Sequence, residues 1–208
     1  MLGKPDPKPP HSRDPEPLIR DLLSGGNPRK LQNVDEVVSA VLATPQRLDE
    51  LIGCILDGRD QGEDSSDDKV VRMRAGDALE KVCRARPSLL QPHVPLLLGD
   101  MSKIHQPSVQ WHVAQMLGQV RLTAPLRRQA ARLMIKNLDE SADWIVLNCS
   151  LDTMAVLARA DPAIVDSFRR QLRRQERSGY TSLANRARKL RMEFTHDSTT
   201  HTDQATDH

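Results

Sequence analysis

A run of arginines near the C-terminal end contains the residues best suited to chemistry. Arginine occupies positions 169, 170, 173, 174 and 177. On a helix these positions fall within one arc, opposite an apolar stripe that includes Phe168 and Leu172. Guanidinium groups presented in this way donate charge-assisted hydrogen bonds to carboxylates and phosphates. The pattern therefore predicts a surface that recognises acidic groups.

The charge of the chain is unevenly distributed along the sequence. The formal net charge is only +2. Residues 31–120 contain nine Lys and Arg against thirteen Asp and Glu, whereas residues 121–191 contain fifteen against seven. The near-neutral total therefore conceals an acidic N-terminal half and a basic C-terminal half.

Cations on the preceding segment extend the arginine run, and Arg186, Arg188, Lys189 and Arg191 continue it. We expect seven residues to bind a partner: Arg128, Arg132, Lys136, Arg170, Arg173, Arg174 and Arg177. Such a charge run also fits a merely solvated face, or the phosphate backbone of a nucleic acid, whose binding weakens steeply with salt. We predict an acidic protein surface as the partner and keep nucleic acid as the alternative.

Residue patterns that indicate catalysis or a cofactor do not occur in the sequence. His93, His105 and His112 lack regular ligand spacing, and there is no glycine-rich phosphate loop, nucleophile elbow or Cys-x-x-Cys pair. The three cysteines at 54, 83 and 149 lie among apolar residues, which is typical of small buried side chains in a reducing compartment. We predict no catalytic residues, no metal and no cofactor.

Hydropathy along the chain indicates neither a membrane span nor a secretory signal. No apolar stretch is long enough to cross a bilayer, and residues 1–17 lack the apolar core of a signal peptide. We therefore predict a cytoplasmic protein that does not bind membranes.

The elements that must position the basic residues repeat along the chain. Four segments align without gaps from Val71, Val109, Ile145 and Leu183, with starting positions 38, 36 and 38 residues apart. Within each, small or apolar residues recur at the spacing of one α-helical face. An earlier segment from Val34 fits the same pattern as a degenerate first copy. A second apolar stripe follows each segment, so the repeating unit is a pair of helices.

The chain is thus predicted to be all-α, with residues 31–194 forming an α-solenoid of about four to five antiparallel helix pairs. Aromatic residues make up only 2 % of the chain, as suits helical packing. Residues 1–30 hold seven of the fourteen prolines and residues 195–208 hold no apolar residue except one alanine, so both segments are predicted to be disordered. Residues 17–23 are the exception, because they could form a short helix that docks on the first repeat.

The sequence resembles the HEAT-repeat family. Residues 70–82 followed by 86–98 are similar to a HEAT repeat, and a period of about 37 suits this class. The resemblance covers roughly residues 31–194 and implies a right-handed solenoid whose second helices line a concave surface. The basic residues would then lie on that surface. HEAT-like arrays serve many processes, so the resemblance carries little about function.

HEAT-like enzymes offer two comparisons. HEAT-like glycosylases for alkylated DNA bases need aromatic side chains and an Asp at the damaged nucleotide. Here Trp111 occupies a repeat position held elsewhere by Met73, so we expect it in or near the core. Trp144, with Asp143 beside it, lies at a helix start that Ser141 is expected to cap. The glycosylase therefore stays a less favoured alternative, and a di-iron enzyme is set aside because the chain has no His-Glu dipeptide.

Overall fold

The computed structural model describes residues 16–57 and 65–203, with side chains through residue 194. Every regular element in these ranges is helical, so the predicted all-α class is confirmed. The 3-10 turns are Pro45–Arg47, Gln91–His93 and Met101–Lys103. The α-helices are α1 (Ile19–Leu23), α2 (Val34–Ala43), α3 (Leu48–Leu56), α4 (Ser66–Ala85), α5 (Pro87–Leu90), α6 (Val94–Leu98), α7 (Pro107–Gln119), α8 (Ala124–Glu140), α9 (Trp144–Ala160), α10 (Pro162–Gln175) and α11 (Thr181–Asp203). Residues 1–15, 58–64 and 204–208, on which part of the predicted terminal disorder falls, lie outside the described residues.

The helices that contain the repeated segments pack side by side. The segments that begin at Val71, Val109, Ile145 and Leu183 lie in α4, α7, α9 and α11. α2 contacts α4, α4 contacts α7, α7 contacts α9, and α9 contacts α11. We call these five helices the first-helix layer. Their predicted apolar faces are buried, as at Val71, Leu79 and Leu117.

The helices between them form a second layer. α3 packs on α4, α8 packs on α9, and α10 packs on both α9 and α11. α8 also contacts α6 on one side and α10 on the other. The apolar stripe of each second-layer helix is buried against the first layer, as at Ile164, Phe168 and Leu172 of α10.

The second helix of the pair that begins with α4 is interrupted. Where the sequence predicted one helix, the chain forms α5, a 3-10 turn, α6 and another 3-10 turn. Prolines at 87, 92 and 95 each fall in the first two positions of one of these elements. A proline lacks the amide hydrogen and clashes with the preceding turn, so the helix restarts at each one. Val94, Leu97 and Met101 of the predicted stripe are nevertheless buried.

Two helix starts in the C-terminal half are capped by aspartates. Asp143 Oδ1 accepts hydrogen bonds from the backbone nitrogens of Ile145 and Val146 at 2.9 and 3.0 Å. Asp161 Oδ1 accepts from Ala163 N at 3.0 Å. The prediction that Ser141 caps α9 is wrong, because α9 begins at Trp144 and the residue with extended backbone just before it is Asp143.

Buried arginines of α4 hold the N-terminal part of the structure. Ile19 and Leu23 of α1 are fully buried, so packed structure begins before residue 31. Arg74, also fully buried, donates hydrogen bonds to backbone carbonyls between residues 23 and 30. Arg72 donates to the carbonyls of Ile55 and Asp57 at the end of α3, both at 3.2 Å. Arg72 therefore satisfies carbonyls that the end of α3 leaves without partners, and Arg74 satisfies the carbonyl of Leu23 at the end of α1 and three carbonyls of the loop that follows.

The last helix is longer than the sequence predicted. α11 continues to Asp203, past residue 194, where the folded part was expected to end. Each added residue of a helix gains a backbone hydrogen bond whether or not its side chain is apolar. Within the described side chains, Phe194 closes the apolar stripe by packing its ring against Phe168, with ring centroids 4.8 Å apart.

Candidate partner-binding face

α8 and α10 position the predicted basic residues, and the two helices run side by side in the same direction. Near the start of α8, Arg128 Nε lies 3.3 Å from Oδ2 of Asp161, the N-cap of α10. Near the end of both helices, Gln175 Nε2 donates to the Leu138 carbonyl at 3.2 Å. The start of α8 lies beside the start of α10, and the two helix ends also lie beside each other. The helices are therefore parallel, and their exposed cations form two parallel rows.

All seven predicted residues are exposed. Two of them are held by carboxylates in the groove between the helices, Arg128 by Asp161 and Arg174 by Asp139. The other five have no ion-pair partner among the described residues: Arg132, Lys136, Arg170, Arg173 and Arg177. We call the seven residues the basic face.

The spacing of the basic face follows from helix geometry. Arg128, Arg132 and Lys136 succeed one another by one turn each, about 6 Å along α8. Arg170 and Arg173 form a similar row along α10, and Arg177, predicted on the same helix, follows in the turn two residues past its end. Packed helices have axes roughly 8–10 Å apart, so the face holds two rows of cations over a patch about 12 Å long.

Three cations of the first-helix layer bind carboxylates on neighbouring helices. Lys81 Nζ of α4 lies 2.9 Å from Oδ1 of Asp35 on α2. Arg159 of α9 lies 3.1 Å from Glu193 of α11, and Arg186 of α11 binds Asp152 of α9. These charges join neighbouring helices to one another, so Arg186 is not part of the unpaired basic run that the sequence suggested.

A buried carboxylate in the same layer is also satisfied internally. Glu80 of α4 is 2 % exposed and pairs with Arg84 one turn along the helix. Gln119 Nε2 of α7 donates to Glu80 Oε1 at 2.7 Å. The carboxylate of Glu80 is therefore already bound to its neighbours and is not open to a partner.

Comparison of the chain with known protein families, proteins and structures finds no match. The chain matches no protein-family model, no curated protein and no solved structure. The HEAT resemblance therefore stays a prediction, and the face must be interpreted from its own geometry.

Two exposed aromatic residues adjoin the basic face, and sequence reasoning did not assign them to it. Trp144 is 52 % exposed and Tyr180 is 42 % exposed. Tyr180 Oη donates to the Ala142 carbonyl at 2.7 Å, which ties the turn after α10 to the turn before α9. Trp111, by contrast, is half-buried, in line with its predicted place in or near the core. Only their positions in the chain could have indicated a role: Trp144 begins the helix after α8, and Tyr180 lies in the turn after α10.

A cavity of about 510 Å³ opens at the end of α8 beside the basic face. Lys136 and Glu140 of α8, Asp143, and His105 before α7 line part of it. Asp143 is already occupied in capping α9. The cavity therefore extends from Lys136 in the α8 row to the turn of residues 141–143 that precedes Trp144.

Groups with catalytic or metal-binding chemistry are dispersed. In the part of the chain that the structure describes, no three His, Cys, Asp or Glu side chains lie close enough together to hold a metal ion. Burial raises the pKa of the thiols of Cys54 and Cys149 to about 11 and that of Cys83 to about 12. These cysteines are therefore protonated and poor nucleophiles at neutral pH. No described helix combines the length and apolar character that a membrane crossing needs.

One histidine is enclosed between two first-layer helices. His112 of α7 is 6 % exposed and its Cδ2 atom faces Gly76 of α4, where an added Cβ would lie only 3.1 Å away. Its Nδ1 atom has no hydrogen-bond partner among the described residues. Burial lowers the pKa of His112, and the nearby carboxylates of Asp77 and Glu80 act in the opposite direction.

Proposed function

We propose that this chain is a HEAT-like α-solenoid that acts as a cytoplasmic, non-enzymatic interaction scaffold. In this proposal the basic face of α8 and α10 binds an acidic surface of a protein partner. The repeat period of 36 to 38 residues and the side-by-side contacts of the first-helix layer support the solenoid. α8 and α10 are the second helices of their pairs, the position that such arrays use for binding.

One observation carries the assignment of the face. Lys81, Arg159 and Arg186 of the first-helix layer pair with carboxylates on neighbouring helices, whereas five of the seven cations of the basic face are left without ion-pair partners among the described residues. Like charges one turn apart on a helix repel and lower its stability. An acidic partner would relieve this repulsion when it binds. The relief would make the free energy of association more favourable.

The extent of the face favours a compact acidic surface over a nucleic acid. A DNA duplex carries one negative charge per roughly 1.7 Å of its axis and is far longer than a patch of about 12 Å. A duplex that continued past the basic face would meet residues 31–120, where acidic side chains outnumber basic ones by thirteen to nine. A local cluster of Asp and Glu on a folded protein does not meet this repulsion.

Charge reversal of three unpaired arginines tests the proposal. Replacement of Arg170, Arg173 and Arg177 together by Glu is compared with a charge-matched control in which Arg29, Lys69 and Arg86, exposed elsewhere, become Glu. Each protein is used as bait in its native host extract, and the bound proteins are identified by mass spectrometry at low and moderate salt. We expect a partner that the wild type and the control retain, that the site variant loses, and that salt releases.

Two results would overturn this function. If the site variant retained the same partner as the wild type, the basic face would not be the binding surface. If the wild type instead bound short duplex DNA or RNA at both salt concentrations, and the site variant did not, the nucleic-acid alternative would replace the protein partner.

A further inference from the structure

Two large aromatic side chains remain in solvent at the end of the basic face. Trp144 and Tyr180 are 52 % and 42 % exposed, whereas both phenylalanines, Phe168 and Phe194, are buried. Exposed aromatic rings forgo the favourable transfer out of water that drives burial elsewhere in the chain. Both residues follow a basic row along the chain: Tyr180 is three residues past Arg177, and Trp144 is the first residue of α9, after the turn that ends the helix of Lys136. The hydrogen bond from Tyr180 Oη to the Ala142 carbonyl brings these two turns together.

Hydrogen bonds hold the backbone around Trp144 and the side chain of Tyr180. Asp143 caps the first turn of α9, and Asn148 Nδ2 donates to the Trp144 carbonyl at 2.8 Å. The hydroxyl of Tyr180 is bound to the Ala142 carbonyl, so this side chain offers a partner its ring and not a free hydroxyl. A ring on a fixed backbone loses little conformational entropy when it binds.

We infer that Trp144 and Tyr180 form an aromatic anchor that extends the basic face, and that the partner is an acidic protein segment with apolar side chains beside its carboxylates. This inference rests on the proposed function. The carboxylates bind Arg170, Arg173 and Arg177 or Lys136, and the apolar side chains cover the two rings. Trp, Tyr and Arg are the residues that most often dominate binding at protein interfaces, and here Trp144 and Tyr180 directly follow the turns that end the two basic helices.

The test uses two labelled peptides of equal charge and length. Both are rich in glutamate; one carries leucines at its centre and the other carries serines there. Binding to the full chain is followed by fluorescence polarisation. We expect the wild type to bind the leucine peptide about tenfold more tightly, since aromatic hot spots contribute at least this much.

Variants assign the preference to the rings. Trp144→Ala is expected to remove most of the difference between the two peptides, and Tyr180→Ala part of it. Tyr180→Phe, which keeps the ring and loses only its hydrogen bond to Ala142, retains the preference for leucine. Val156→Ala is the matched control, because Val156 is 45 % exposed on the same helix as Trp144 but near its opposite end. Circular dichroism of each variant verifies that it is folded.

The outcomes separate this inference from the proposed function. If the wild type binds both peptides equally, or if Trp144→Ala keeps the preference, the aromatic anchor is refuted while the basic face stands. If the wild type binds neither peptide, or if replacing Arg170, Arg173 and Arg177 by Glu leaves binding intact, the proposed function itself fails. If a single-stranded oligonucleotide displaces the leucine peptide and its own binding depends on Trp144, the rings stack on bases and the inferred protein partner is wrong.

Discussion

The guanidinium of Arg74 donates a hydrogen bond of 2.6 Å to the carbonyl of Leu23, 51 residues earlier in the chain. The same side chain donates to the carbonyls of Gly25 and Asn27 at 2.8 Å and to that of Lys30 at 3.0 Å. It has no carboxylate partner among the described residues. Its charge is instead balanced by carbonyl dipoles, including the negative end of the helix that Leu23 terminates.

Removal of the Arg74 guanidinium should destabilise the N-terminal end of the fold. Arg74→Met keeps much of the apolar stem but leaves the buried carbonyl of Leu23 and three partly buried loop carbonyls without this donor, so we expect a loss of about 3 kcal/mol in the free energy of unfolding. The free energy of unfolding of Arg74→Lys should lie between those of the wild type and Arg74→Met, because one ammonium group cannot reach all four carbonyls. Urea denaturation measures the loss, and Arg86→Met, at an exposed position, should change stability by less than about 0.5 kcal/mol.

Hydrogen exchange tells whether the loss is local. Amides of α1 should lose protection in Arg74→Met more than amides of α9. Equal loss of protection across both helices would contradict the role of Arg74 as the tether of the N-terminal segment.

Acidic pH should destabilise the interface between α4 and α7 through His112. Burial lowers the pKa of His112 below its ordinary value of 6.5, and the carboxylates of Asp77 and Glu80 only partly offset this effect. The unfolded chain therefore binds this proton more tightly than the folded chain does. The contribution of His112 to stability is complete above about pH 6.5 and is lost as the pH falls below it, by at most about 1.4 kcal/mol per pH unit.

Substitution of His112 isolates this contribution. The free energy of unfolding of the wild type and of His112→Gln is compared from about pH 7.5 down to about pH 5. As the pH falls, the wild type should lose more of its free energy of unfolding than His112→Gln does. His105→Gln, at an exposed histidine, serves as control, and its free energy of unfolding should change with pH as that of the wild type does. The hypothesis is excluded if His112→Gln also shows the pH dependence of the wild type.

Asp161 should stabilise α10 mainly as a cap and less as an ion-pair partner. Its Oδ1 atom accepts from Ala163 N, and its Oδ2 atom lies 3.3 Å from Arg128. Asp161→Asn keeps an acceptor for the cap and should cost well under 1 kcal/mol, whereas Asp161→Ala should cost about 1–2 kcal/mol. Thermal unfolding distinguishes the two, with Asp166→Ala, at an exposed position of the same helix, as control. An equal cost for both Asp161 variants would show that the charge is the larger contribution.

Replacement of the unpaired arginines should not lower stability. Because Arg170, Arg173 and Arg177 lack ion-pair partners among the described residues, replacing all three by Gln removes repulsion and no ion pair. We expect the free energy of unfolding to stay within about 0.5 kcal/mol of the wild type, or to rise. A clear decrease in the urea midpoint would mean that these side chains are structural, which would weaken their assignment to partner binding.

The sequence was a good guide to helices and a poor guide to contacts across them. The spacing of Val71, Ala75 and Leu79 predicted a buried helical face because a helix repeats its geometry at every turn. Nothing local marks Arg74 as buried, since its acceptors are backbone carbonyls that any sequence supplies. The short helix predicted over residues 17–23 is confirmed, and its Ile19 and Leu23 are buried.

The candidate face shows the same division. The exposure of Arg170 and Arg173 followed from their position opposite the apolar stripe of one helix. Which cations are unpaired did not follow, because Arg174 and Arg186 find carboxylates on neighbouring helices. The exposure of Trp144 was also missed, since its capped helix start is equally compatible with a ring turned inward.

The burial of Arg72 and Arg74 has a consequence for how a partner first meets this molecule. Residues 31–120 contain only nine cations against thirteen acidic side chains, and these two are withdrawn from contact. An acidic partner that diffuses towards the chain is therefore repelled by the N-terminal half and attracted to the C-terminal half before the two molecules make contact. Orientation is thus selected during diffusion, which raises the association rate more than the lifetime of the complex. The advantage shrinks once added salt shortens the Debye length below the dimensions of the patch.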